Sequence, residues 1–403
     1  MNDDDRPGFK QFTRTAAARE RLLGAVSPVT RTERAGVRAA DGRVVATAID
    51  AERAVPHYER AAMDGYAVRA ADTFGASERS PASLRLTDSV GPGTATRVHT
   101  GSELPDGADA VVMVESTDRT GEELSVFEAV PEGGNVAPVG EDVEAGQRLF
   151  EAGHRLRPSD LGLLKAVGLE HVDVYERPRV SVIPTGEELV QSDPDPGEII
   201  ETNGQTVTQY VERWGGVASY RDIVTDDADA LRAAIRRDLD HDVVVTTGGS
   251  SVGERDLVPE VVDDMGEVFV HGVALKPGHP VALGAVADTP VLLLPGYPVA
   301  CIVNAVQFLR PALVEAGHLP REPHRTTEAR LARKLPSEPG VRTFARVALS
   351  GDDGERTATP TRTKGAGVLS SVALADGWVV VPEEREGYAE GETVAVELWE
   401  GSR

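Results

Sequence analysis

The spacing of apolar and polar residues divides the chain into regions of different kinds. Over residues 13–26 alanine, leucine and arginine recur at helical intervals up to Gly24 and Pro28, which predicts an N-terminal helix. Residues 39–49 are interpreted as a second short helix that passes into a strand. From residue 50 to 143 helical periodicity is lost and turns are frequent, which indicates a small β-rich domain.

Strands and helices alternate in the middle of the chain. A short helix comes first, with Ser159 predicted as its cap and Gly168 as its stop. From residue 177 to about 320, apolar β-branched runs such as Val243-Val244-Val245 alternate with amphipathic stretches. This alternation is typical of an α/β domain with a largely parallel sheet. Residues 326–403 return to short strands and turns, so a second small β domain is expected there.

Four loops that carry polar or glycine residues follow or flank predicted strands of the α/β region. Their sequences are PTGEEL (184–189), TTGGSSVGERD (246–256), KPGHP (276–280) and PGYP (295–298). Ligands of parallel sheets bind at the carboxyl ends of the strands, so these loops are expected to converge. The second loop can hold a phosphate on backbone N–H groups, and its acidic end points to an accompanying Mg²⁺. The plain alternative is that its glycines serve only the turn.

Three turns of the β-rich region also carry polar groups. They are AMDGYA (62–67), HTGSELP (99–105) and VGEDV (139–143). An Asp-Gly pair inside an apolar segment is typical of a hairpin turn. Taken singly, each of these turns is more typical of a solvated loop than of a ligand site.

Composition narrows the class of protein. A chain of 403 residues is expected to form two to four domains. Because Cys301 is the one cysteine, a disulfide framework is excluded, and its apolar surroundings favour a small buried side chain over a nucleophile. The polar N-terminus carries no signal-peptide pattern, and no apolar run of about 20 residues is evident. We therefore expect a cytoplasmic protein without a membrane span.

The charge balance is strongly acidic. The formal net charge is −24, and arginine supplies most of the positive charge because the chain has few lysines: Lys10, Lys165, Lys276, Lys334 and Lys364. Such a surface argues against nonspecific nucleic-acid binding, which needs clustered basic residues. It is what a high-salt cytoplasm favours, since carboxylates stay hydrated while salt screens their repulsion. We therefore expect a halophilic protein.

In this order, the segments resemble the molybdopterin molybdenumtransferase family, whose eukaryotic relative is the E domain of gephyrin. The resemblance covers nearly the whole chain and rests on AMDGYA, TGSELPDGADAVVMVE, GED, PTGEEL, TTGGSSVGERD, LKPGHP, LPGYPVA and GAGVLSS. It implies a multidomain α/β plus β fold with a three-layer, molybdopterin-binding α/β domain at residues 177–325. It further implies an elongated N-terminal linking domain (1–50 with 144–176), a β-rich inserted domain (51–143) and a C-terminal β-barrel-like domain (326–403).

The resemblance implies an activity as well. The expected reaction is insertion of molybdate into adenylylated molybdopterin with Mg²⁺-dependent release of AMP. The expected form is a homodimer whose cleft joins the α/β domain of one subunit to the β-rich domain of the other. Further partners would be the molybdopterin adenylyltransferase and cofactor-accepting apo-enzymes. Three alternatives stay open: a tungstate-inserting version, a molybdopterin adenylyltransferase, and a non-catalytic gephyrin-like scaffold.

Family motifs place the expected site residues. Catalytic residues are expected at Asp64, Asp142, Glu188, Asp226, Asp256 and Lys276, of which Glu188, Asp226 and Asp256 would hold the metal. Lys276 would supply a fixed positive charge to phosphate or molybdate. Residues that bind the substrates are expected at Thr100, Thr185, Gly186, Gly248, Gly249, Ser250, Ser251, Gly253, Pro277, Gly278, His279, Pro295, Gly296, Pro298, Arg346 and Ser371.

Two positions depart from the family pattern. Many relatives carry a second lysine where this chain has His279, so a permanent charge becomes a titratable one. Relatives often carry asparagine where this chain has Tyr297. The first departure leaves open which group contacts the oxyanion, and neither changes the family to which the motifs point.

We predict that this protein needs high salt. At a net charge of −24, dilute buffer leaves the repulsion between carboxylates unscreened, whereas about 1 M salt shortens the screening length to roughly 3 Å. Both the activity and the thermal unfolding midpoint should therefore rise between about 0.1 M and about 2 M KCl. Full stability and activity in dilute buffer would contradict this expectation.

Overall fold

The computed structural model describes residues 12–249, 257–352, 355–361 and 366–400. They fall into two compact units, one formed by the residues up to Thr32 together with those from Tyr175 onward, the other by Glu33–Val174. The finer division into four domains stays a prediction. The described helices are α1 Thr15–Ala25, α2 Pro158–Ala166, α3 Asn203–Arg213, α4 Ala228–Arg237, α5 Leu257–Met265, α6 Pro298–Asn304, α7 Arg310–Ala316 and α8 Ser370–Ala373.

The Glu33–Val174 unit is the predicted β-rich region with its flanking segments. Its strands, including the two that reach its ends, are β1 Thr32–Gly36, β2 Ile49–Asp50, β3 Arg60–Ala61, β4 Gly65–Val68, β5 Ala82–Leu86, β6 Thr94–Val98, β7 Ala110–Met113, β8 Thr117–Thr120, β9 Glu123–Val126, β10 Val136–Ala137, β11 Arg148–Phe150 and β12 His171–Tyr175. Six of them form one sheet in the order β7-β4-β6-β5-β9-β8. Strands β1 and β12 pair with each other, so the chain enters and leaves this unit on neighbouring strands.

The second helix predicted for residues 39–49 is wrong. A 3-10 turn at Val37–Ala39 is followed by a turn, in which Gly42 has a φ of 72°, and then by two isolated bridges. Those bridges join Val44 to Arg155 and Val45 to Val174. The backbone N–H and C=O groups of this segment therefore find partners in parts of the unit that are distant in sequence. The alanines suggested a helix, but the Asp-Gly turn that interrupts them prevents one.

The cap predicted for α2 is also wrong. The N-cap is Arg157, Pro158 occupies the first turn, and the carboxylate of Asp160 accepts the N–H of Arg157 at 3.0 Å. Ser159 therefore lies inside the first turn, because proline fits best directly after the cap. The predicted stop is confirmed, since the helix ends before Gly168, which has a φ of 100°.

The other unit, formed by the residues up to Thr32 and those from Tyr175 onward, contains the α/β domain that the alternating pattern predicted. Its strands are β13 Arg179–Pro184, β14 Leu189–Val190, β15 Ile199–Ile200, β16 Val217–Tyr220, β17 Val243–Thr247, β18 Glu267–His271, β19 Leu275–Lys276, β20 Ala282–Val286 and β21 Thr289–Leu294. The main sheet has the order β16-β13-β17-β21-β20-β18. Its first four strands are parallel, while β20 and β18 are antiparallel to their neighbours.

Helices cover both faces of this sheet. Successive residues of β17 alternate between two cores, with Val243 and Val245 in one and Val244 in the other. The first core contains residues of α1, α3, α6 and α7, and the second contains residues of α4 and α5. A sheet buried on both faces explains the uninterrupted apolar runs of the sequence and confirms the three-layer arrangement.

One long helix of this unit is apolar throughout. A π-helical segment, Ala305–Leu309, joins α6 to α7. The resulting helix, Pro298–Ala316, is long and apolar enough by length and composition to cross a membrane, contrary to the sequence expectation that no run reaches this length. However, 78% of the apolar stretch of this helix is buried inside the protein, which is typical of a core helix. Cys301 lies in this helix and is 1% exposed, which confirms it as a buried side chain.

The C-terminal part of this unit is a closed barrel. Its strands are β22 Arg325–Leu331, β23 Leu335–Pro336, β24 Arg342–Ser350, β25 Thr357–Pro360, β26 Gly377–Val381, β27 Gly387–Tyr388 and β28 Thr393–Leu398. Five of them follow the order β24-β25-β22-β28-β26, and β26 pairs back onto β24. Strand β19 adds to β24 in parallel, with Lys276 opposite Thr343. The lysine loop is thus attached to the barrel by main-chain hydrogen bonds.

A buried carboxylate ties the α/β domain together. The side chain of Asp238, 0% exposed, accepts hydrogen bonds from the Ser181 hydroxyl at 2.7 Å and from Arg221 Nη2 at 2.6 Å. Arg237 Nη2 donates to it at 2.8 Å. Burial alone would raise the pKa of Asp238, but the hydrogen bonds from Arg237, Ser181 and Arg221 outweigh that effect and lower the pKa to about 2. The ionised form therefore stabilises the fold.

We predict that Asp238→Asn lowers the free energy of unfolding at neutral pH by about 2–3 kcal/mol, since one pKa unit corresponds to about 1.4 kcal/mol and the two partly exposed arginine partners lose their buried counter-charge. Because the folded pKa is depressed, this contribution is complete above about pH 4 and is lost as the pH falls towards 2. Urea unfolding followed by tryptophan fluorescence measures it. The three tryptophans all lie in this unit: Trp214, Trp378 and Trp399.

The matched control for that experiment is Asp229→Asn. Asp229 also pairs with an arginine, Arg232, at 2.8 Å, but its side chain is 93% exposed. An exposed pair of this kind contributes at most about 1 kcal/mol. Equal effects of the two substitutions, or a pH dependence that persists in Asp238→Asn, would contradict the role given to Asp238.

Candidate functional site

The carboxyl ends of three parallel strands lie level with one another. Pro184 of β13 is the register partner of Thr247 of β17, and Thr247 is the partner of Leu294 of β21. The loops PTGEEL, TTGG and PGYP therefore begin at the same edge of the sheet. A parallel bridge between Thr185 and Val224 adds the loop after β16 to this edge. The predicted convergence of the strand-end loops is confirmed for these segments.

Glycine is required where two of these loops touch. Gly248 has a φ of 114°, and a Cβ built on it would lie 2.1 Å from the carbonyl oxygen of Thr185. Gly249 has a φ of 64°, and its Cβ would meet a methyl of Val258 at 2.5 Å. The turn itself therefore requires glycine at both positions. The N–H of Gly248 donates to the carbonyl of Leu294 at 3.0 Å, and phosphate binding by this loop stays a prediction.

Part of the predicted phosphate loop lies outside the described residues: Ser250, Ser251, Gly253 and Asp256. The described part ends at Gly249, directly after β17. Three threonine hydroxyls of this region are buried without a hydrogen-bond partner, namely those of Thr185, Thr246 and Thr247. Buried hydroxyls normally find partners, so the hydrogen-bonding capacity at these strand ends is incompletely used by the protein.

Carboxylates gather at the β13 and β16 ends of this edge. Partial burial, followed by the negative charges of Glu188 and Glu187, raises the pKa of Asp226. Asp226 and Glu188, two of the three predicted metal ligands, therefore lie close enough to repel each other. The helix cap of α4 is the next residue, Asp227, which accepts the N–H of Ala230 at 2.8 Å. In the described ranges no cluster of three or more His, Cys, Asp and Glu that could hold a metal is formed.

The KPGHP loop carries the predicted cation. Lys276 Nζ lies 2.6 Å from Glu338 Oε2, so the ammonium group is paired with a carboxylate of the barrel. Burial and then the charge of Lys276 lower the pKa of His279. The ring of Phe12 packs edge-on against the His279 ring, with centroids 5.4 Å apart. His279 is therefore neutral at neutral pH in this arrangement.

A buried amide holds this loop in place. Asn304 Nδ2, on the fully buried side of α6, donates to the carbonyl of Gly278 at 2.9 Å and to that of Ala300 at 2.9 Å. Gly278 has a φ of 114°, and a Cβ there would lie 2.2 Å from Asn304 Nδ2. The loop is consequently packed on the helix that begins at the PGYP segment. Pro277 follows a cis peptide bond in the same loop.

The PGYP loop leads directly into α6. Pro298 is the first residue of that helix, a position that suits proline because no N–H is needed there. Gly296, which follows Pro295, lies against Gly248, since a Cβ on it would be 3.5 Å from the Gly248 Cα. Tyr297 is 66% exposed. The loop therefore presents an aromatic ring to solvent beside the glycine contact.

Two barrel residues were predicted with weaker flanking sequence. Arg346 lies in β24 and is 3% exposed, and burial lowers its pKa. Ser371 is 5% exposed, and its hydroxyl donates to the carbonyl of Val368 at 2.7 Å. Thr361 links them, because its N–H donates to the Arg346 carbonyl at 3.0 Å and its hydroxyl to the Ser371 carbonyl at 3.0 Å. Their role in binding stays a prediction.

In the Glu33–Val174 unit two predicted residues meet. The N–H and hydroxyl of Thr100 both donate to Asp64 Oδ1, at 2.6 and 2.9 Å. These hydrogen bonds lower the pKa of Asp64 and keep it ionised. Asp142 is exposed on another turn, where its N–H donates to the carbonyl of Val55 at 2.9 Å. The turns AMDGYA and HTGSELP are thus brought together by the hydrogen bonds between Thr100 and Asp64.

The sequence interpretation missed two residues at the start of α3. Glu201, 4% exposed, accepts the N–H of Gly204 at 2.6 Å and the hydroxyl of Tyr220 at 2.7 Å. Asn203 Nδ2 donates to the carbonyl of Gly296 at 2.7 Å and so connects α3 to the PGYP loop. An acidic residue three positions before a glycine at a helix start is a capping signal that could have found Glu201. No local sequence pattern indicates the hydrogen bond from Asn203 to Gly296.

Comparison with protein families matches three regions of this chain. Residues 13–168 match the family "MoeA N-terminal region (domain I and II)". Residues 181–315 match "Probable molybdopterin binding domain", and residues 328–399 match "MoeA C-terminal region (domain IV)". The second and third matches lie within the α/β domain and the C-terminal region that contains the barrel, whereas the first covers most of the Glu33–Val174 unit together with α1.

Individual proteins are similar over most of their length. The molybdopterin molybdenumtransferase of Bacillus subtilis is 32% identical over 375 residues, which is 88% of this chain and 87% of the relative. The molybdopterin molybdenumtransferase 2 of Mycobacterium tuberculosis (strain H37Rv) is 33% identical over 383 residues, 90% of this chain and 93% of the relative. A crystal structure of a molybdopterin biosynthesis MoeA protein from Pyrococcus horikoshii matches with a TM-score of 0.83 at 35% identity, covering 97% of this chain and 100% of that one.

The contact between Gly248 and Thr185 generates a prediction. Gly248→Ala should lower the free energy of unfolding by about 2–4 kcal/mol, because the new Cβ meets a main-chain oxygen at 2.1 Å in a backbone conformation unsuited to alanine. Gly197→Ala is the matched control: its φ is 108°, but nothing lies within 4 Å of the added Cβ. The control should cost only about 1–2 kcal/mol. If the two variants unfold at the same urea concentration, close approach is not the constraint at Gly248.

Proposed function

Because the chain belongs to the molybdopterin molybdenumtransferase family, whose members insert molybdate in molybdenum cofactor biosynthesis, we propose that it uses adenylylated molybdopterin, releases AMP and requires Mg²⁺. The observation that carries this proposal is the meeting of the β13, β16, β17 and β21 loops at one sheet edge. That edge combines phosphate-binding backbone with neighbouring carboxylates, as a phosphorylated substrate with a cation needs.

The matches outside the α/β domain favour this reaction over adenylyl transfer to molybdopterin. The molybdopterin-binding match covers residues 181–315, whereas the N-terminal and C-terminal matches add residues 13–168 and 328–399. The related molybdopterin adenylyltransferase typically consists of the α/β domain alone. The hydrogen-bonded pair of Asp64 and Thr100 lies in the added N-terminal part, which supports a function that needs more than the α/β domain.

The strand-end loops fit a nucleotide-linked substrate. Gly248 and Gly249 form the turn at the end of β17, and the N–H of Gly248 already donates to the carbonyl of Leu294 at 3.0 Å, so a phosphate would be held by other N–H groups of this loop. The buried, unpartnered hydroxyl of Thr185 lies beside these glycines, 3.0 Å from the Cβ position of Gly249. We assign pyrophosphate binding to this loop, with Ser250 and Ser251 as further donors, and binding of adjoining substrate groups to Gly186, Pro295 and Gly296.

The carboxylates fit a magnesium ion. Asp226 has a raised pKa because Glu188 and Glu187 add negative charge beside it, and a divalent cation would offset that repulsion. Glu188 and Asp226 would hold the ion, with Asp256 as the third expected ligand. When bound, Mg²⁺ would act as a Lewis acid on the pyrophosphate oxygens and favour AMP as the leaving group.

The KPGHP loop fits the incoming oxyanion. Lys276 provides a permanent positive charge, while His279 stays neutral at neutral pH because burial and Lys276 lower its pKa. His279 gains a charge only as the pH falls below that lowered pKa, so it would favour oxyanion binding on the acidic side. Molybdate and tungstate have the same charge, and this loop offers no feature that separates them.

The remaining partners complete the proposal. We assign a homodimer to the protein, a cytoplasmic location, and exchange of substrate and product with the molybdopterin adenylyltransferase and with cofactor-accepting apo-enzymes. Asp64, Thr100 and Asp142 of the β-rich unit would contribute to substrate handling. The ionised state of Asp64, kept by Thr100, is consistent with a role in which negative charge is needed.

We predict that the purified protein releases AMP from adenylylated molybdopterin when molybdate and Mg²⁺ are present. Asp226→Asn and Asp256→Asn should each lower the rate by about 100-fold, because removing one carboxylate weakens the electrostatic stabilisation of the reacting charges. Asp229→Asn, a change at an exposed pair on α4, is the control and should keep the full rate. AMP separated by chromatography gives the rate, and chelation of Mg²⁺ should abolish it.

Four outcomes would change the assignment. Formation of adenylylated molybdopterin from molybdopterin and MgATP would identify an adenylyltransferase. AMP release with tungstate and not with molybdate would identify the tungstate version. Unchanged rates in both aspartate variants would refute the carboxylate–metal mechanism, and no turnover with any oxyanion would favour a scaffold.

A further inference from the structure

The lysine expected to meet the oxyanion already has a carboxylate partner. Lys276 Nζ and Glu338 Oε2 are 2.6 Å apart, while the two side chains are 43% and 66% exposed. Lys276 lowers the pKa of Glu338, so the carboxylate is ionised at neutral pH. An anion that reaches Lys276 therefore meets a neutral pair instead of a free cation.

The backbone holds both members of this pair on one frame. Lys276 ends β19, which is hydrogen-bonded in parallel to β24, with Leu275 opposite Arg342 and Lys276 opposite Thr343. Glu338 lies in the turn just before β24, and the N–H of Val341 donates to its carbonyl at 3.2 Å. Ser337, the preceding residue, is tied to Thr343 by a hydrogen bond of 2.7 Å between their hydroxyls. The pairing thus arises from strand addition between the α/β domain and the barrel.

We propose that Glu338 is a positioning residue that holds the Lys276 ammonium group and competes with the oxyanion for it, so that Glu338 sets the affinity of the KPGHP loop for molybdate and the dependence of that affinity on salt. This proposal rests on the proposed function of Lys276 as an oxyanion ligand. It assigns to the barrel turn a part in recognition of the substrate anion, although Glu338 itself does not bind the anion.

The strength of the pair suits such a competition. An exposed ion pair changes an equilibrium constant by at most about fivefold, so a ligand can displace it. A dianion such as molybdate interacts with the ammonium group about twice as strongly as a single charge at the same distance. Chloride carries one charge and must compete with a carboxylate that is tethered nearby at high effective concentration. Glu338 therefore lowers the occupancy of Lys276 by chloride and by molybdate alike, and the preference of the ammonium group for the dianion is kept.

This competition matters in concentrated salt, which the acidic composition favours. With Glu338 in place, chloride would occupy Lys276 less often, because the tethered carboxylate does not dissociate into solution. Without it, chloride would have direct access to the only lysine of the loop. The carboxylate thus lowers molybdate affinity at low salt and makes that affinity depend less on the chloride concentration.

The test uses the full-length protein and molybdate as the probe. Titration calorimetry measures molybdate affinity at about 0.1 M and about 2 M KCl, and steady-state AMP release gives KM for molybdate and kcat separately. The test variant is Glu338→Gln, which keeps the shape and removes the charge. The control is Glu392→Gln, which breaks a comparable pair of the C-terminal region, Glu392 with Arg385 at 2.7 Å. Lys276→Met and the double variant complete a cycle.

We expect Glu338→Gln to bind molybdate about three- to fivefold more tightly at low salt, with KM lowered by the same factor and kcat changed less. The gain should disappear in the Lys276→Met background and should shrink as KCl is raised, more than in the unmodified protein. Glu392→Gln should leave both quantities unchanged. A general structural effect would not be confined to one charge pair or to KM.

The outcomes separate this proposal from the function on which it rests. If Lys276→Met weakens molybdate binding while Glu338→Gln has no effect, the competition is refuted and the role of Lys276 stands. If Glu338→Gln acts equally with and without Lys276, the pair is not the cause and the proposal is also refuted. If Lys276→Met leaves molybdate binding unchanged, the role of Lys276 fails, and the role of Glu338 fails with it.

Discussion

Level strand ends are the constraint on which the α/β site depends. Pro184, Thr247 and Leu294 share one register, so three loops leave the sheet at the same height. The carbonyl of Thr185 then lies so close to Gly248 that no side chain fits between them. Each loop is therefore fixed by its neighbour as much as by its own sequence. The PTGEEL and PGYP loops acquire their positions from this packing.

Electrostatic pairing is the second organising principle. The protein is strongly acidic, yet the charges that matter are arranged locally: the buried carboxylate of Asp238 is paired with Arg221 and Arg237 and accepts a hydrogen bond from Ser181, whereas Asp226 is left beside further carboxylates. The first arrangement stabilises the fold, and the second stores repulsion that a cation can relieve. Net charge alone would not distinguish the two.

Much of the fold could be predicted from local sequence, because apolar periodicity reports which faces are buried. The run Val243-Val244-Val245 predicted a buried strand, and the return to short strands after residue 326 predicted the C-terminal β domain. The helix expected at 39–49 failed because bridges to Arg155 and Val174, distant in sequence, satisfy that segment. Barrel closure between β24 and β26 likewise has no local signature.

The candidate site likewise has parts that could be predicted from the sequence and parts that could not. Motif order placed the strand-end loops, and register confirmed that those described converge. The contact of Lys276 with Glu338 and that of Asn203 with Gly296 span 62 and 93 residues, so neither could be found from spacing. They depend on strand addition and helix placement, which only tertiary structure shows.

The pairing of β1 with β12 has a consequence for how such a protein can arise. The chain enters and leaves the Glu33–Val174 unit on adjacent strands, so the two ends of a segment of more than a hundred residues are already held together. A host fold needs to open only one of its own connections to accept this segment. The entropy cost of closing so long a loop is offset by the strand pairing at the ends of the inserted segment. The architecture therefore permits gain of a whole domain by a single insertion event, and it marks residues 32 and 175 as the places where a permuted or domain-deleted chain could be rejoined.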